Sequence, residues 1–249
     1  MAQVTRREVC RTCGSPRLSP FLDLGLSPLA NRFLRKDQLD EEEPKFRLDV
    51  FLCADCSLVQ LLEVVDPEVL FRDYIYVSGT SDTMRAHFES FAESVITRFA
   101  LRPNDLVVEV ASNDGTFLAN FEGHGLRLLG IEPATNIAEI ARSRGIETVN
   151  EFFNDNLGEQ VRTEHGPAAC VLATNVFAHL DDVNGFVRGL LSVLGPEGIF
   201  VFENSYVRDM IDHLEFDSVY HEHLSYFSVT ALSELFARHG LEIFDVEHQ

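Results

Sequence analysis

Hydrophobic positions along this chain change their period twice. Up to about residue 65 they come in short bursts between polar and turn-forming residues. "LGLSPLANRFL" reads as a loop, with Pro28 and Asn31, and leads into the solvated polar run "RKDQLDEEEPK". "VFLCADCSLVQLLEVV" alternates enough for a strand or hairpin. Helical spacing then appears: Met84, Phe88, Phe91, Val95 and Phe99 recur at three- and four-residue steps. They predict an amphipathic helix capped by Ser81 or Asp82 and ending near "RPND". After residue 104 apolar runs alternate with helical segments. "DLVVEVA", "RLLGIEPA", "AACVLATNVFAHL", "GIFVFENSYV" and "LEIFDVE" read as strands. "GTFLANF", "NIAEIARSRG", "VNGFVRGLLSVL" and "TALSELFARHG" read as helices, the last stopped by Gly240. Such alternation predicts a doubly wound, parallel α/β sheet with right-handed crossovers. The expected organisation is a small domain over 1–65 and an α/β domain over 66–249, with a lead-in helix in 66–103. No internal repeat is visible.

Composition narrows the partners. With 249 residues and 45% hydrophobic content, the chain can build one large core or two small ones. No apolar run approaches the ~18 residues of a membrane helix, and "MAQVTRREVC" lacks the apolar core of a signal peptide. A cytoplasmic protein is expected, without membrane partner and monomeric. The net charge is -20. Residues 1–60 balance nine Lys/Arg against nine Asp/Glu, whereas 61–249 hold eleven Arg, no Lys and 31 Asp/Glu. That surface repels phosphate backbones and argues against nucleic acid. Its plainer role is to keep the protein soluble.

Cys10-x2-Cys13 and Cys53-x2-Cys56 are two knuckles, each able to present two thiolates to one tetrahedral Zn²⁺. A closed four-thiolate set is structural, and about 60 residues have too little core to fold easily without it. Disulfides do not suit a reducing compartment, and a redox CxxC would need a βαβ setting that neither pair has. Cys170 lies in an apolar run and reads as a core thiol.

In a doubly wound sheet, ligands bind outside the carboxyl ends of the strands. The first strand leads into "EVASNDGTFL", placing Glu109, Ser112, Asp114 and Gly115 near the turn. A single glycine is not the G-x-G-x-x-G of dinucleotide sites, and clustered carboxylates repel a pyrophosphate. They tolerate a cationic cofactor such as S-adenosylmethionine. Glu132 and Pro133 end the second strand, with Glu132 23 residues after Glu109, where a carboxylate can accept both ribose hydroxyls. Phe153 and Asn154 are candidates for adenine stacking and its edge, against the plainer readings of a core Phe and a turn Asn.

Taken together, "CRTCGSP…SPLANRF", "FLCADCSLVQL", "YIYVSGTS", "EVASNDGTFL", "GIEPA", "NVFAHL" and "FENSYVRDM…YHEHLSYFS" resemble the deoxysugar C-methyltransferase family across nearly the whole chain. The resemblance implies an N-terminal zinc domain, a class I (Rossmann-like) methyltransferase domain and methylation of carbon 3 in a nucleotide-linked, dTDP-type 4-keto-deoxysugar, as in antibiotic sugar pathways. It also implies a C-terminal domain that is absent from this chain, so "LEIFDVEHQ" reads as a truncation point. Asn175 and His179 match the family pattern as substrate or cofactor contacts, and Tyr74 as an active-site phenol. Tyr76 belongs to the same motif. Ser78, with Gly79 and Ser81, is a candidate for the cofactor's methionine carboxylate.

Forming a carbon–carbon bond next to a ketone needs a base for the acidic proton and donors for the enolate oxygen. Tyr220, His221, Glu222 and His223 supply these groups in four residues. His223 is the expected base, Glu222 the group that fixes its tautomer or orientation, Tyr220 a donor to sugar or enolate, and His221 structural. An O- or N-methyltransferase would need no such cluster. A zinc-stapled, non-catalytic binding module remains the non-enzymatic alternative.

Overall fold

The computed structural model describes residues 4–72 and 74–248. In chain order the elements are β1 (Val4–Arg6), β2 (Leu18–Ser27), β3 (Phe46–Cys53), β4 (Val59–Leu61), β5 (Glu63–Val65), α1 (Pro67–Phe71), α2 (Asp82–Arg98), β6 (Leu106–Val110) and β7 (Arg127–Ile131). There follow α3 (Thr135–Ser143), β8 (Thr148–Val149), α4 (Asp155–His165), β9 (Ala168–Thr174), α5 (Val183–Val193), β10 (Leu194–Glu203), α6 (Val207–Asp212), β11 (Ser225–Tyr226) and α7 (Val229–Arg238). They form two compact units. The first runs up to Asp66, takes up Phe177–Asn184 and resumes at Asn204; the second comprises Pro67–Val176 and Gly185–Glu203.

The first unit holds an antiparallel sheet in the order β11-β4-β3-β2, and β1 pairs with β5. Leu48, Val50, Leu61, Val207, Met210 and Tyr226 form a core cluster there. The periodicity did not predict β2, whose pattern is broken by Pro20 and Gly25. It survives as an edge strand, where a missing N–H costs no ladder bond. Its register slips between Pro20 and Leu22 and again between Asp23 and Leu26. Asp23 Oδ1 accepts the Gly25 amide at 2.8 Å, closing the second irregularity.

The second unit is a parallel sheet in the order β10-β9-β6-β7-β8. In chain sequence this is 3-2-1-4-5, the doubly wound order, whose switch point lies between β6 and β9. All five residues of β6 are buried, as a central strand covered on both faces requires. The predicted helix of 84–99 is α2, capped by the Ser81 hydroxyl on the Met84 amide at 3.3 Å. Its buried face, Phe88, Ala92 and Val95, packs into a cluster with Phe117, Leu118 and Phe121.

Two expected elements differ. "GTFLANF" forms only a 3-10 turn over Leu118–Phe121, because Gly123 and Gly125 follow in left-handed conformations that end any helix. "LEIFDVE" makes no ladder among the described residues and is largely exposed, with Phe244 at 64%. A strand needs a neighbour to take its amides and carbonyls. The hydrophobic pattern does not predict α4. Its Gly158 and Gly189 of α5 meet backbone to backbone: a Cβ on Gly158 would lie 2.4 Å from the Gly189 carbonyl oxygen.

Candidate functional site

The four cysteines converge in the first unit, their Sγ atoms all within 4.8 Å of one another. Cys10 and Cys56, and Cys13 and Cys53, lie 3.5 Å apart. Tetrahedral zinc with ~2.3 Å bonds to sulfur places sulfurs about 3.8 Å apart, so the donor set fits. The knuckles share one backbone design: the Gly14 amide donates to the Cys10 carbonyl at 2.9 Å and the Ser57 amide to the Cys53 carbonyl at 3.0 Å. Gly14 and Ser57 are both left-handed, with φ of 73° and 59°. The Thr12 hydroxyl lies 3.3 Å from Cys10 Sγ and 3.2 Å from Cys56 Sγ. The Cys56 and Thr12 contacts lower the Cys10 thiol despite burial.

In the second unit, the carboxyl edge of β6 passes into a tight turn with Ala111, Asn113 and Gly115 at positive φ. Left-handed non-glycine residues in succession mark backbone held by its surroundings. Here the Asn113 amide donates to Glu132 Oε2 at 2.9 Å and the Ala134 amide to Glu132 Oε1 at 2.8 Å. Asn150 Nδ2 donates to the carbonyls of Glu132 and Pro133 at 2.8 and 3.0 Å. Asp114 is fully buried; its Oδ2 accepts Arg144 Nη1 at 2.6 Å and the Gly79 amide at 3.2 Å.

Glu109 lies inside β6 rather than at the turn and is 2% exposed. Burial, then the charges of Glu132 and Asp114, push its carboxyl well above the ordinary carboxylate range. Its Oε2 and the buried Ser112 Oγ have no hydrogen-bond partner among the described residues. Burial raises Glu132 as well.

Tyr74–Ser81 forms a strap fastened to this rim. The Asn136 side chain accepts the Tyr74 amide at 3.2 Å and donates to its carbonyl at 2.7 Å. Asn113 accepts the Ser78 amide at 2.9 Å and donates to the Tyr76 carbonyl at 3.1 Å. The Ser78 and Gly79 amides are thus engaged by Asn113 and Asp114. The Tyr74 ring lies edge-on to Phe71 at 5.7 Å, and Tyr76 is exposed. Phe153 is half-buried, edge-on to Phe186 at 5.1 Å, and the Asn154 side chain caps α4 on the Leu157 amide at 3.0 Å. At the ends of β9 and β10, left-handed Asn175 donates through Nδ2 to Glu203 Oε1 at 3.3 Å, and Glu203 Oε2 lies 2.6 Å from His87 Nε2. Neither Glu203 nor His87 was visible as a candidate: one ends an apolar strand, the other sits on the polar face of a helix.

The first unit also gathers His179, Tyr220, Glu222 and His223. His223 Nδ1 is 3.0 Å from the Ser218 carbonyl, which can only accept, so Nδ1 carries the proton. Nε2 is therefore the basic nitrogen, and it accepts the Tyr220 hydroxyl at 2.8 Å. A backbone carbonyl, and not the Glu222 side chain expected from the sequence, fixes the tautomer. Glu222 is 3% exposed, and its Oε1 accepts Asn31 Nδ2 at 2.8 Å. Its carbonyl accepts His179 Nδ1 at 2.9 Å, and the His179 and His223 rings meet edge-on at 4.9 Å. Burial lowers the His223 imidazole below its ordinary value and, with the Glu222 charge, pushes the Tyr220 phenol up to about 12. Both are neutral at pH 7. His221 is buried and donates to the Phe46 carbonyl at 3.3 Å, a packing role.

Residues 10–71 match the family described as "Putative zinc binding domain", and residues 84–246 match "Methyltransferase domain". The chain belongs to the methyltransferase-domain family. It is 37% identical over 237 residues to C-methyltransferase NovU of Streptomyces niveus, covering 95% of this chain and 56% of NovU. The chain thus spans little more than half the length of that relative. Among solved structures it is similar to a SAM-dependent methyltransferase from Archaeoglobus fulgidus, with a TM-score of 0.53, 13% identity and coverage of 63% of this chain and 68% of that one. The cyclopropane synthase MmaA2 from Mycobacterium tuberculosis also has a TM-score of 0.53, with 14% identity over 71% of this chain and 70% of its own. Identities this low speak for the fold alone. The methyltransferase domain has the class I, Rossmann-like fold and follows a cysteine-rich zinc-binding region. Its rim suits S-adenosylmethionine: buried Glu109 has an unpartnered oxygen, and the surrounding carboxylates favour a sulfonium and an ammonium group. No described helix is long and apolar enough to cross a membrane.

Proposed function

We propose that this protein is an S-adenosylmethionine-dependent C-methyltransferase acting on carbon 3 of a nucleotide-linked 4-keto-deoxysugar. The observation that carries this reading is the neutral Tyr220–His223 pair, with its basic nitrogen fixed by the Ser218 carbonyl. A free amine can attack through its lone pair without such a base, whereas a ketone's α-carbon has no lone pair to offer until its proton is removed. The 37% identity to a protein named C-methyltransferase supports the same choice.

When bound, S-adenosylmethionine supplies an electrophilic methyl group. Tyr220 shifts its hydrogen bond from His223 Nε2 to the ketone oxygen, and the Nε2 lone pair so freed takes the proton from carbon 3, leaving an enolate; the phenol, held near 12, donates to the enolate oxygen without losing its proton. His179, fixed through Nδ1 by the Glu222 carbonyl, presents Nε2 as a second polar contact for the sugar. On the rim, Glu132 with Pro133 serves the ribose; Glu109, Ser112, Asp114 and Gly115 shape the methionine side; and Phe153, Asn175, Tyr74 and Tyr76 complete the binding residues, while the Asn154 side chain is taken up by the α4 cap and the Ser78 amide by Asn113.

Two measurements test this. Calorimetry of the zinc-loaded protein should show micromolar binding of S-adenosylhomocysteine and none of NADH. A methyl-transfer assay on a dTDP-linked 4-keto-deoxysugar should then show turnover that His223→Asn removes. Binding with no turnover on any keto sugar would favour a binding module or a different acceptor.

A further inference from the structure

We propose that Asn31, in the loop after β2, is a positioning residue for Glu222 and, through it, for the acid–base cluster. The inference rests on the catalytic reading of that cluster. Asn31 and Glu222 are 191 residues apart in sequence, yet Asn31 Nδ2 donates to Glu222 Oε1 at 2.8 Å. Glu222 is 3% exposed, so water cannot orient its carboxylate and protein donors must. Its backbone carbonyl holds His179, and its neighbours in the same short turn are Tyr220 and His223, joined to each other. A displacement of Glu222 would therefore carry with it the carbonyl that holds His179 and the turn that joins Tyr220 to His223. The loop that brings Asn31 here is itself anchored, with Leu29 buried at 7%. An amide is suited to this place: it offers a donor to the carboxylate without adding charge. A carboxylic side chain of the same shape would put two negative oxygens at hydrogen-bond distance.

That contrast separates positioning from packing. Asn31→Asp keeps the shape and loses the donor; Asn31→Ala loses both. If Asn31 only fills space, Asp should behave as wild type and Ala should not. If it positions Glu222, Asp should be at least as damaging as Ala. Hydrogen bonds to charged groups contribute about 1.5–3 kcal/mol, which is roughly a 10–100-fold loss of kcat, with KM for S-adenosylmethionine unchanged. The full-length, zinc-loaded chain would be assayed on a dTDP-linked 4-keto-deoxysugar, with zinc content and circular dichroism matched to wild type. In parallel, ¹⁵N-histidine spectra would report the tautomers of His179 and His223, which both carry the proton on Nδ1 in the wild-type structure. Wild-type kcat and spectra in Asn31→Asp would overturn the proposal. If wild type turns over no keto sugar, the catalytic reading fails by itself and the spectra still decide: shifted signals in both variants support Asn31 as the orienting group, and unchanged signals in both reject it.

Discussion

His223 has a partner for each nitrogen, and the two partners set its chemistry. The Ser218 carbonyl takes the Nδ1 proton and the Tyr220 hydroxyl points at Nε2. Burial lowers the imidazole, so it stays unprotonated at pH values where an exposed histidine, near 6.5, would charge. The acid limb of kcat/KM should therefore fall below pH 6.5, and His223→Asn should cost roughly 10²–10⁴ in kcat, as loss of a general base does. An acid limb above 7 would point to a different base. Glu109 is the second group whose state burial decides. Its carboxyl is raised well above the ordinary range, so between the unfolded value near 4.3 and its raised folded value the native chain binds the extra proton. Stability from this group is complete below about pH 4.3 and declines as the pH rises. Glu109→Gln should flatten that decline; melting temperature against pH, without cofactor, would check it. Residue types were readable here because imidazole, phenol and thiol are rare and were clustered. Their orienting partners, Ser218 through its carbonyl and Asn31 from a distant loop, carry no pattern in the sequence.

At the scale of elements, periodicity found what repeats. The four apolar residues of β6 and the three- and four-residue spacing of α2 are burial written into sequence. It failed where elements exist only through neighbours. Edge strand β2, with its proline and two slips, is made by pairing with β3, and "LEIFDVE" has the composition of a strand without a ladder. The contact between α4 and α5 is similar, since a glycine at 158 predicts nothing until Gly189 is seen against it. Gly158→Ala would drive a Cβ into backbone 2.4 Å away. We expect a loss of about 1–3 kcal/mol by urea unfolding, although alanine is intrinsically the better helix former. Unchanged or increased stability would mean that the helices separate without cost.

For the molecule as a whole, the four thiols are the closure of a unit with a modest core. Structural zinc contributes roughly 10–16 kcal/mol of apparent binding energy in small fingers, comparable to or above the ~5–15 kcal/mol stability of a whole domain. Chelation, or Cys53→Ser, should therefore unfold the first unit while the second keeps its own core. The expected signature is one zinc released per chain together with loss of ¹⁵N-histidine dispersion for His179 and His223, while S-adenosylhomocysteine binding persists. Loss of that binding at the same chelator concentration would show a single cooperative structure. The cysteine spacing made the metal legible. Linear spacing could not show that Ser225–Tyr226 returns to complete the cysteine-bearing sheet.

That return has a consequence for synthesis. The β4 edge, at Val59–Leu61, pairs with β11 at Ser225–Tyr226, about 160 residues later in the chain. At ~5–20 residues per second, the nascent protein waits on the order of 10–30 s with that edge open. During this interval metal capture by the two knuckles can proceed, since both are already made, but the sheet they belong to cannot close. A growing chain is thus a loaded zinc module with an exposed pairing edge until Ser225–Tyr226 has left the ribosome.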